Sequence, residues 1–445
     1  MAKRKKEKKI QDYSRAYAIL RHYVDAVLKL SYKRIRYTGL ENVPTDGAVI
    51  YAPNHANALM DALIILAMDP KPKVFVARAD IFRNRTLAKI FKFLKIMPIM
   101  RMRDGINEVK KNNDTIVKAV DVLKDKIPFC IFPEGQHLAK HSAQPLSKGI
   151  FRIAFQAMEL MGDTPLYIVP VGLQYGNFFR FRSTVRVEAG KPINVGEFLK
   201  ANEHLTPQEQ MNVLKEDLSG RIKSLITYIP DDENYNATYE VCAAGMKAQR
   251  QAMVKAAKVR GVNRKFAHFQ ANKALLEKIG AMKENQPEKF SKLMELGNQA
   301  YAERTANKIS LSSITNRFGF SQRRIGFVFS LLLLPYSLPA ALLTLPMNLA
   351  CAKIFTLLKD YAFRNSIRFI FNLIVWPLLM IIYAAIAFSL APWEYALAGV
   401  LLYLPAPIVA HELWRMFRLE RSDMKLLHNK KLRNTYAQIK ELLKD

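Results

Sequence analysis

Between about residues 33 and 200 the chain alternates short apolar runs with stretches whose apolar positions recur every three or four residues. "AVIYAP" (48–53), "KVFVA" (73–77), "IMPIM" (96–100), "IPFCIF" (127–132), "LYIVPVGL" (166–173) and "TVRVEAG" (184–190) predict strands. "ALMDALIILAM", "TLAKIFKFL", "NNDTIVKAVDVLK" and "KGIFRIAFQAMEL" predict the helices between them. Such alternation predicts an α/β domain with a largely buried sheet, whose functional loops follow strand ends.

Outside that domain the pattern changes. Residues 14–31 alternate apolar and basic positions at helical spacing, so 1–32 reads as a basic amphipathic helix that lies either on an anionic membrane surface or against the body. The lysine-rich start is followed by a run broken by His22, Asp25 and Lys29, which predicts no cleavable signal peptide. Residues 201–320 predict a basic helical region. Three long runs almost free of charge follow, at 325–350, 369–391 and 395–410. Since about 20 apolar residues cross a bilayer, they predict a multi-pass membrane protein. The turn "PWE" (392–394) lacks Lys and Arg, whereas 351–368 and 415–431 are rich in them. The spans 369–391 and 394–414 then form a hairpin with both basic flanks, and the α/β domain, on the cytoplasmic side. With Pro335, Pro339 and Pro346 inside it, 325–350 reads either as a span or as a re-entrant hairpin. Residues 415–445 form a basic tail.

Charge narrows the partners. Sixty-eight Lys and Arg against 38 Asp and Glu give a formal net charge of +30, so anionic partners are expected. No zinc spacing and no aromatic RNA-binding strand accompanies this charge, and apolar segments do; anionic membrane lipids are expected as partners and nucleic acid is not. Cys130, Cys242 and Cys351 lie far apart, which predicts neither a disulfide framework nor a zinc module.

Four stretches carry candidate chemistry. His55 closes a strand candidate, with Asp61 six positions on. An imidazole takes a proton from a hydroxyl near neutral pH when a carboxylate fixes its tautomer, although the same two residues also suit a capping histidine and an incidental helix acid. Six positions of ideal helix rotate by about 600°, so the pair can meet only if the chain after His55 is non-helical. In "MPIMRMRDG" (97–105) a strand candidate ends at Arg101, with Arg103 two positions on; cations there suit a phosphate, or else belong to a solvated loop. In "FPEGQHLAK" (132–140), a strand runs into a turn holding Glu134 and Gly135. In "IVPVGLQY" (168–175), Pro170 and Gly172 are expected to interrupt a strand and free backbone groups for a ligand, or else to mark an edge. His137 and His141 are alternative imidazoles, read as loop residues.

In this order, His55/Asp61, Arg101, "FPEG" and "VPVGL" resemble the four blocks of the glycerolipid acyltransferase superfamily, over roughly residues 35–200. "APNHANALMD" and "VPVGLQYGNFFRFRSTVRVEAGKPINV" are similar to the branch of glycerol-3-phosphate/dihydroxyacetone-phosphate acyltransferases. Most of the superfamily has four residues between histidine and aspartate; this chain has five, a spacing that resembles the same branch. The resemblance implies a glycerolipid acyltransferase-like α/β domain with a helical extension and C-terminal transmembrane helices. It implies His55 as general base, Asp61 as its orienting acid, Arg101 and Arg103 on the substrate phosphate, Glu134 and Gly135 on the glycerol backbone, and Pro170 on the acyl-donor side. The implied reaction moves an acyl chain from acyl-CoA or acyl carrier protein to glycerol-3-phosphate, with dihydroxyacetone phosphate as a further acceptor, and needs no metal or redox cofactor. Lysophosphatidate acylation is the same-class alternative. A catalytically inactive lipid-binding protein is the alternative of another class.

Overall fold

The computed structural model describes residues 9–100, 112–256, 267–315, 320–358 and 360–444. Two compact units form: one from the chain up to Ile226 with Cys351–Ile374, the other from Thr227–Ala350 with Val375 onward.

The first unit starts with helix α1 (Arg15–Ser31) and strands β1 (Arg34–Thr38) and β2 (Ala48–Pro53). Then come α2 (Leu59–Leu66), β3 (Val74–Arg78), α3 (Arg85–Phe93), β4 (Ile96–Ile99), α4 (Asn112–Lys124) and β5 (Phe129–Cys130). Helix α5 (Gly149–Leu160), strands β6 (Leu166–Tyr175), β7 (Thr184–Ala189) and β8 (Ile193–Asn194), and helices α6 (Val195–Ala201) and α7 (Pro207–Leu225) follow. All six expected strands occur, the one at 127–132 reduced to two residues, and β1 and β8 are additional.

The sheet runs β1-β7-β6-β2-β5-β3-β4, with β8 also on β6. Its β2, β3, β4, β5 and β6 pairs are parallel, and β7 and β8 run antiparallel to β6. Alternate side chains go to opposite faces, as the pleat requires. Ala48, Ile50 and Ala52 join Phe129, Ile131 and Ile168 under α4, α5 and α7. Val49 and Tyr51 join Cys130, Val169, Val171 and Leu173 beneath α1 and α2. Both faces are therefore apolar, which is why the strands read as nearly continuous hydrophobic runs.

Helix α1 is tied down by a buried cation. Arg21 donates to the carbonyls of Leu66 (2.6 Å), Asp69 (2.5 Å), Pro70 (3.0 Å) and Lys71 (2.7 Å), which closes the unpaired end of α2.

In the second unit, α8 (Tyr235–Ala256), α9 (Ala267–Asn285), α10 (Pro287–Ala306), α11 (Leu311–Ile314), α17 (Ala406–His428) and α18 (Lys430–Leu442) carry its hydrophobic core. The buried Glu240 carboxylate is matched there by the Arg304 guanidinium, at 2.8 and 2.9 Å, and by the Tyr436 hydroxyl. Further helices of this unit are α12 (Phe320–Leu332), α13 (Leu334–Leu357, up to Ala350), α15 (Trp376–Leu390) and α16 (Trp393–Tyr403), whereas α14 (Phe363–Ile370) belongs to the first unit. Among the described residues, Leu334–Leu357 and Phe363–Leu390 are each long and apolar enough to cross a membrane; Trp393–Tyr403 with Ala406–His428, bent by 52°, makes a third if it is one span.

Candidate active site

Strand β2 ends at Pro53, and the chain from Asn54 to Ala58 is not helical. Asn54, buried, clamps this turn onto β6 through its side chain: Oδ1 receives the Leu173 amide at 2.6 Å, and Nδ2 donates to the Leu173 carbonyl at 3.2 Å. Ala58 then takes a positive φ of 46°, which turns the chain into α2.

That turn answers the spacing problem. Asp61, fully buried in the first turn of α2, lies with Oδ2 at 2.8 Å from His55 Nδ1. The same oxygen receives the amides of Ala56 (2.7 Å) and Asn57 (2.6 Å), and Oδ1 receives the Tyr175 hydroxyl. The intervening turn folds back over the carboxylate, and the N–H groups of Ala56 and Asn57 cradle it. A carboxylate only accepts, or shares the proton, so His55 carries its hydrogen on Nδ1 and leaves Nε2 to accept. Phe132 stacks on the imidazole with centroids 4.2 Å apart, holding the ring plane from the β5 side.

Glu134 follows in the turn after β5. It is buried, its Oε1 has no hydrogen-bond partner, and burial pushes its pKa up to about 8, opposed by hydrogen bonds from the Gln144 and His55 backbones. Near pH 7 it is a neutral carboxylic acid beside the histidine. Gly135 has φ +65°, a left-handed conformation that L side chains resist, while a Cβ there would meet only Ser147, at an ordinary contact distance of 3.9 Å. Its presence is a demand of the backbone.

Pro170 and Gly172 do not interrupt β6, which is continuous from Leu166 to Tyr175 and lies between β2 and β7. The expectation of free backbone groups is corrected by packing: β8 pairs with Tyr167 and Ile168, β7 starts pairing at Val171, and Pro170, which has no N–H to offer, falls where the partner changes. Its carbonyl accepts from Gly190 at 2.9 Å. Gly172 is required by close approach, since a Cβ there would stand 2.6 Å from Leu225 Cβ and 2.7 Å from its carbonyl oxygen.

Arg101 and Arg103 lie outside the described residues. Of the two further imidazoles, His141 is buried against Phe178, with Gln174 Nε2 at 2.8 Å from its Nδ1, and burial pushes its pKa down to about 4. It is a neutral packing residue. His137 sits edge-on to the His55 ring, centroids 5.3 Å apart, with Nε2 2.6 Å from Asp360 Oδ2.

The structure thus brings His55, Asp61 and Glu134 together. Reading the sequence missed Asn54, Tyr175 and Asp360. Tyr175 stands in the quoted fourth block, where strand alternation puts it on the same face as Val171 and Leu173, and that periodicity could have found it.

Residues 34–174 match the Acyltransferase family model. Among curated proteins, the chain is 35% identical over 95 residues to glycerol-3-phosphate O-acyltransferase 1 of Saccharomyces cerevisiae, covering 21% of this chain and 12% of that relative. It is 28% identical over 153 residues to glycerol-3-phosphate O-acyltransferase 2 of the same yeast, 33% of this chain and 20% of the relative. A 1-acyl-sn-glycerol-3-phosphate acyltransferase of Borreliella burgdorferi is 26% identical over 172 residues, 38% of this chain and 63% of the relative. The chain therefore spans a small part of the two yeast relatives. Among solved structures, the 1-acyl-sn-glycerophosphate acyltransferase of Thermotoga maritima matches 48% of this chain and 81% of its own, at 18% identity and a TM-score of 0.34.

Proposed function

We propose, from the acyltransferase-family domain at residues 34–174, that this protein transfers an acyl chain from an acyl thioester to glycerol-3-phosphate at a membrane surface. The observation that carries the reading is the buried Asp61 carboxylate fixed on His55 Nδ1, which leaves Nε2 as a proton acceptor. In the proposed reaction, Nε2 takes the proton of the acceptor hydroxyl as its oxygen attacks the thioester carbonyl carbon. Asp61 stabilises the imidazolium that forms, the C–S bond breaks, and the departing thiolate receives the proton from Nε2. No acyl-enzyme is needed.

Glu134, neutral near pH 7 and with Oε1 unpaired, is assigned to a hydrogen bond with the glycerol backbone, and Gly135 keeps the turn that presents it. Arg101 and Arg103 are assigned to the phosphate, and Pro170 to the acyl-donor side. Two or three helices apolar enough to cross a membrane support a multi-pass protein, with the catalytic domain assigned to the cytoplasmic side by the basic flanks. A water-soluble acceptor and a lipid product suit such a site.

The test is acyl transfer by the purified full chain, with labelled acyl thioester and each acceptor in turn, and the products identified by mass spectrometry. His55→Ala is expected to lower the rate by about 10²–10⁴-fold while the fold is retained. A folded variant with full activity would sink the mechanism. Rapid turnover of lysophosphatidate with none of glycerol-3-phosphate would move the protein to the alternative acceptor.

A further inference from the structure

The stretch Cys351–Ile374, which runs from the end of one apolar helix into the start of the next, belongs to the compact unit that holds His55. It behaves as a strap across the site. Phe369 is buried in the core formed with Met60, Ile64 and Val171, and the Tyr23 hydroxyl donates to the Leu373 carbonyl at 2.5 Å. The Phe178 carbonyl receives both Asn57, from the cradle around Asp61, at 2.8 Å, and Asn365 of the strap.

The strap also reaches the imidazoles. Asp360 is held by the Ala362 amide, which donates to Oδ1 at 2.8 Å, and its Oδ2 lies 2.6 Å from His137 Nε2. The Phe363 ring meets His137 edge-on, centroids 5.1 Å apart, and the Leu138 amide donates to the His55 carbonyl at 3.0 Å. Asp360 and Phe363 therefore hold the second imidazole edge-on to the first. Because the carboxylate takes the hydrogen on Nε2, His137 Nδ1 is an acceptor, and it has no protein partner among the described residues. Such an atom, next to a base that activates one hydroxyl, matches a second hydroxyl on the adjacent carbon.

We propose that His137, held by Asp360 from the strap, binds the acceptor through His137 Nδ1, which takes a hydrogen bond from the hydroxyl next to the one His55 activates. Asp360 is a positioning residue acting through His137. The inference rests on His55 being the base of an acyl transfer. It assigns a preference to the site: glycerol-3-phosphate has that neighbouring hydroxyl, whereas dihydroxyacetone phosphate presents a carbonyl oxygen with no hydrogen to donate.

The experiment uses the full chain in detergent with both acceptors. His137→Gln keeps an N–H facing Asp360 and removes Nδ1. Loss of one hydrogen bond is expected to raise KM for glycerol-3-phosphate about tenfold, with kcat changed less than about twofold and KM for dihydroxyacetone phosphate and for the acyl donor unmoved. Asp360→Asn, at a half-exposed side chain, is expected to act in the same direction, and the double variant to be no worse than His137→Gln alone. An unchanged KM for glycerol-3-phosphate, or equal losses with both acceptors, would overturn the inference while wild-type activity and an inactive His55→Ala leave acyl transfer standing. Wild-type transfer to lysophosphatidate alone would do the same. An inactive wild-type chain would overturn both.

Discussion

Glu134 holds a proton that an exposed glutamate would have lost well below neutral pH, because its carboxyl is buried and one oxygen is without a partner. Its pKa is raised from 4.5 to about 8, so between those values the folded state binds a proton that the unfolded state has released. Stability is then fully present below about pH 4.5 and falls as pH rises towards 8, on the order of 1.4 kcal/mol per pH unit at most. Glu134→Gln, neutral at every pH, is expected to raise the unfolding midpoint of the full chain more at pH 9 than at pH 5, by a few kcal/mol of stability. An equal shift at both values would remove the proton from the argument. At this scale the sequence was informative where chemistry is local. His55 and Asp61 are six positions apart, and the need for a non-helical turn between them follows from helix geometry alone. The Tyr175 hydroxyl on Asp61 spans 114 positions, and only the assembled sheet brings them together.

At the scale of elements, Gly172 shows how a strand and a helix set each other's distance. Its missing side chain lets the end of α7 come against β6, with Leu225 Cβ 2.6 Å from where a Cβ would stand. Gly172→Ala is expected to destabilise the first unit by about 1–3 kcal/mol, since the clash includes backbone that cannot turn away. The check is the thermal midpoint, and an unchanged one would show that α7 is free to shift. Most elements were legible because strands buried on both faces and helices with one apolar stripe leave distinct periods in the chain. Strand β1 was not. "RIRYT" alternates charge with apolar groups, and it becomes a strand by pairing in parallel with β7, Arg34 opposite Thr184, at the end of the sheet. Pairing partners far apart in sequence leave no local signature. The same reason hid the strap: its basic residues read as a cytoplasmic flank, and nothing near Asp360 in sequence announces His137.

For the whole molecule, the first unit is made of two pieces separated by the stretch Thr227–Ala350. A chain ended before Cys351 keeps His55, Asp61, Glu134 and Pro170, yet it loses Phe369 from the core and the carboxylate on His137. On the proposed function it is expected to show less than about a tenth of the full chain's transfer activity, as loss of a well-packed phenylalanine costs about 3–5 kcal/mol and the proposed hold of Asp360 on His137 goes with it. Adding residues 351–374 back as a peptide and measuring activity checks the cause; full activity without them would mean that the strap is dispensable. The two-piece construction also sets an order in time. His137 and Asp360 stand 223 residues apart, so a ribosome adding about 5–20 residues per second delivers the second roughly 10–45 s after the first. Through that interval the nascent domain carries the His55–Asp61 pair without the Asp360 carboxylate on His137, and Asp360 emerges only after the apolar helix Leu334–Leu357 has been made. On the proposed function, the site is thereby completed only after a helix long and apolar enough to cross a membrane has been made.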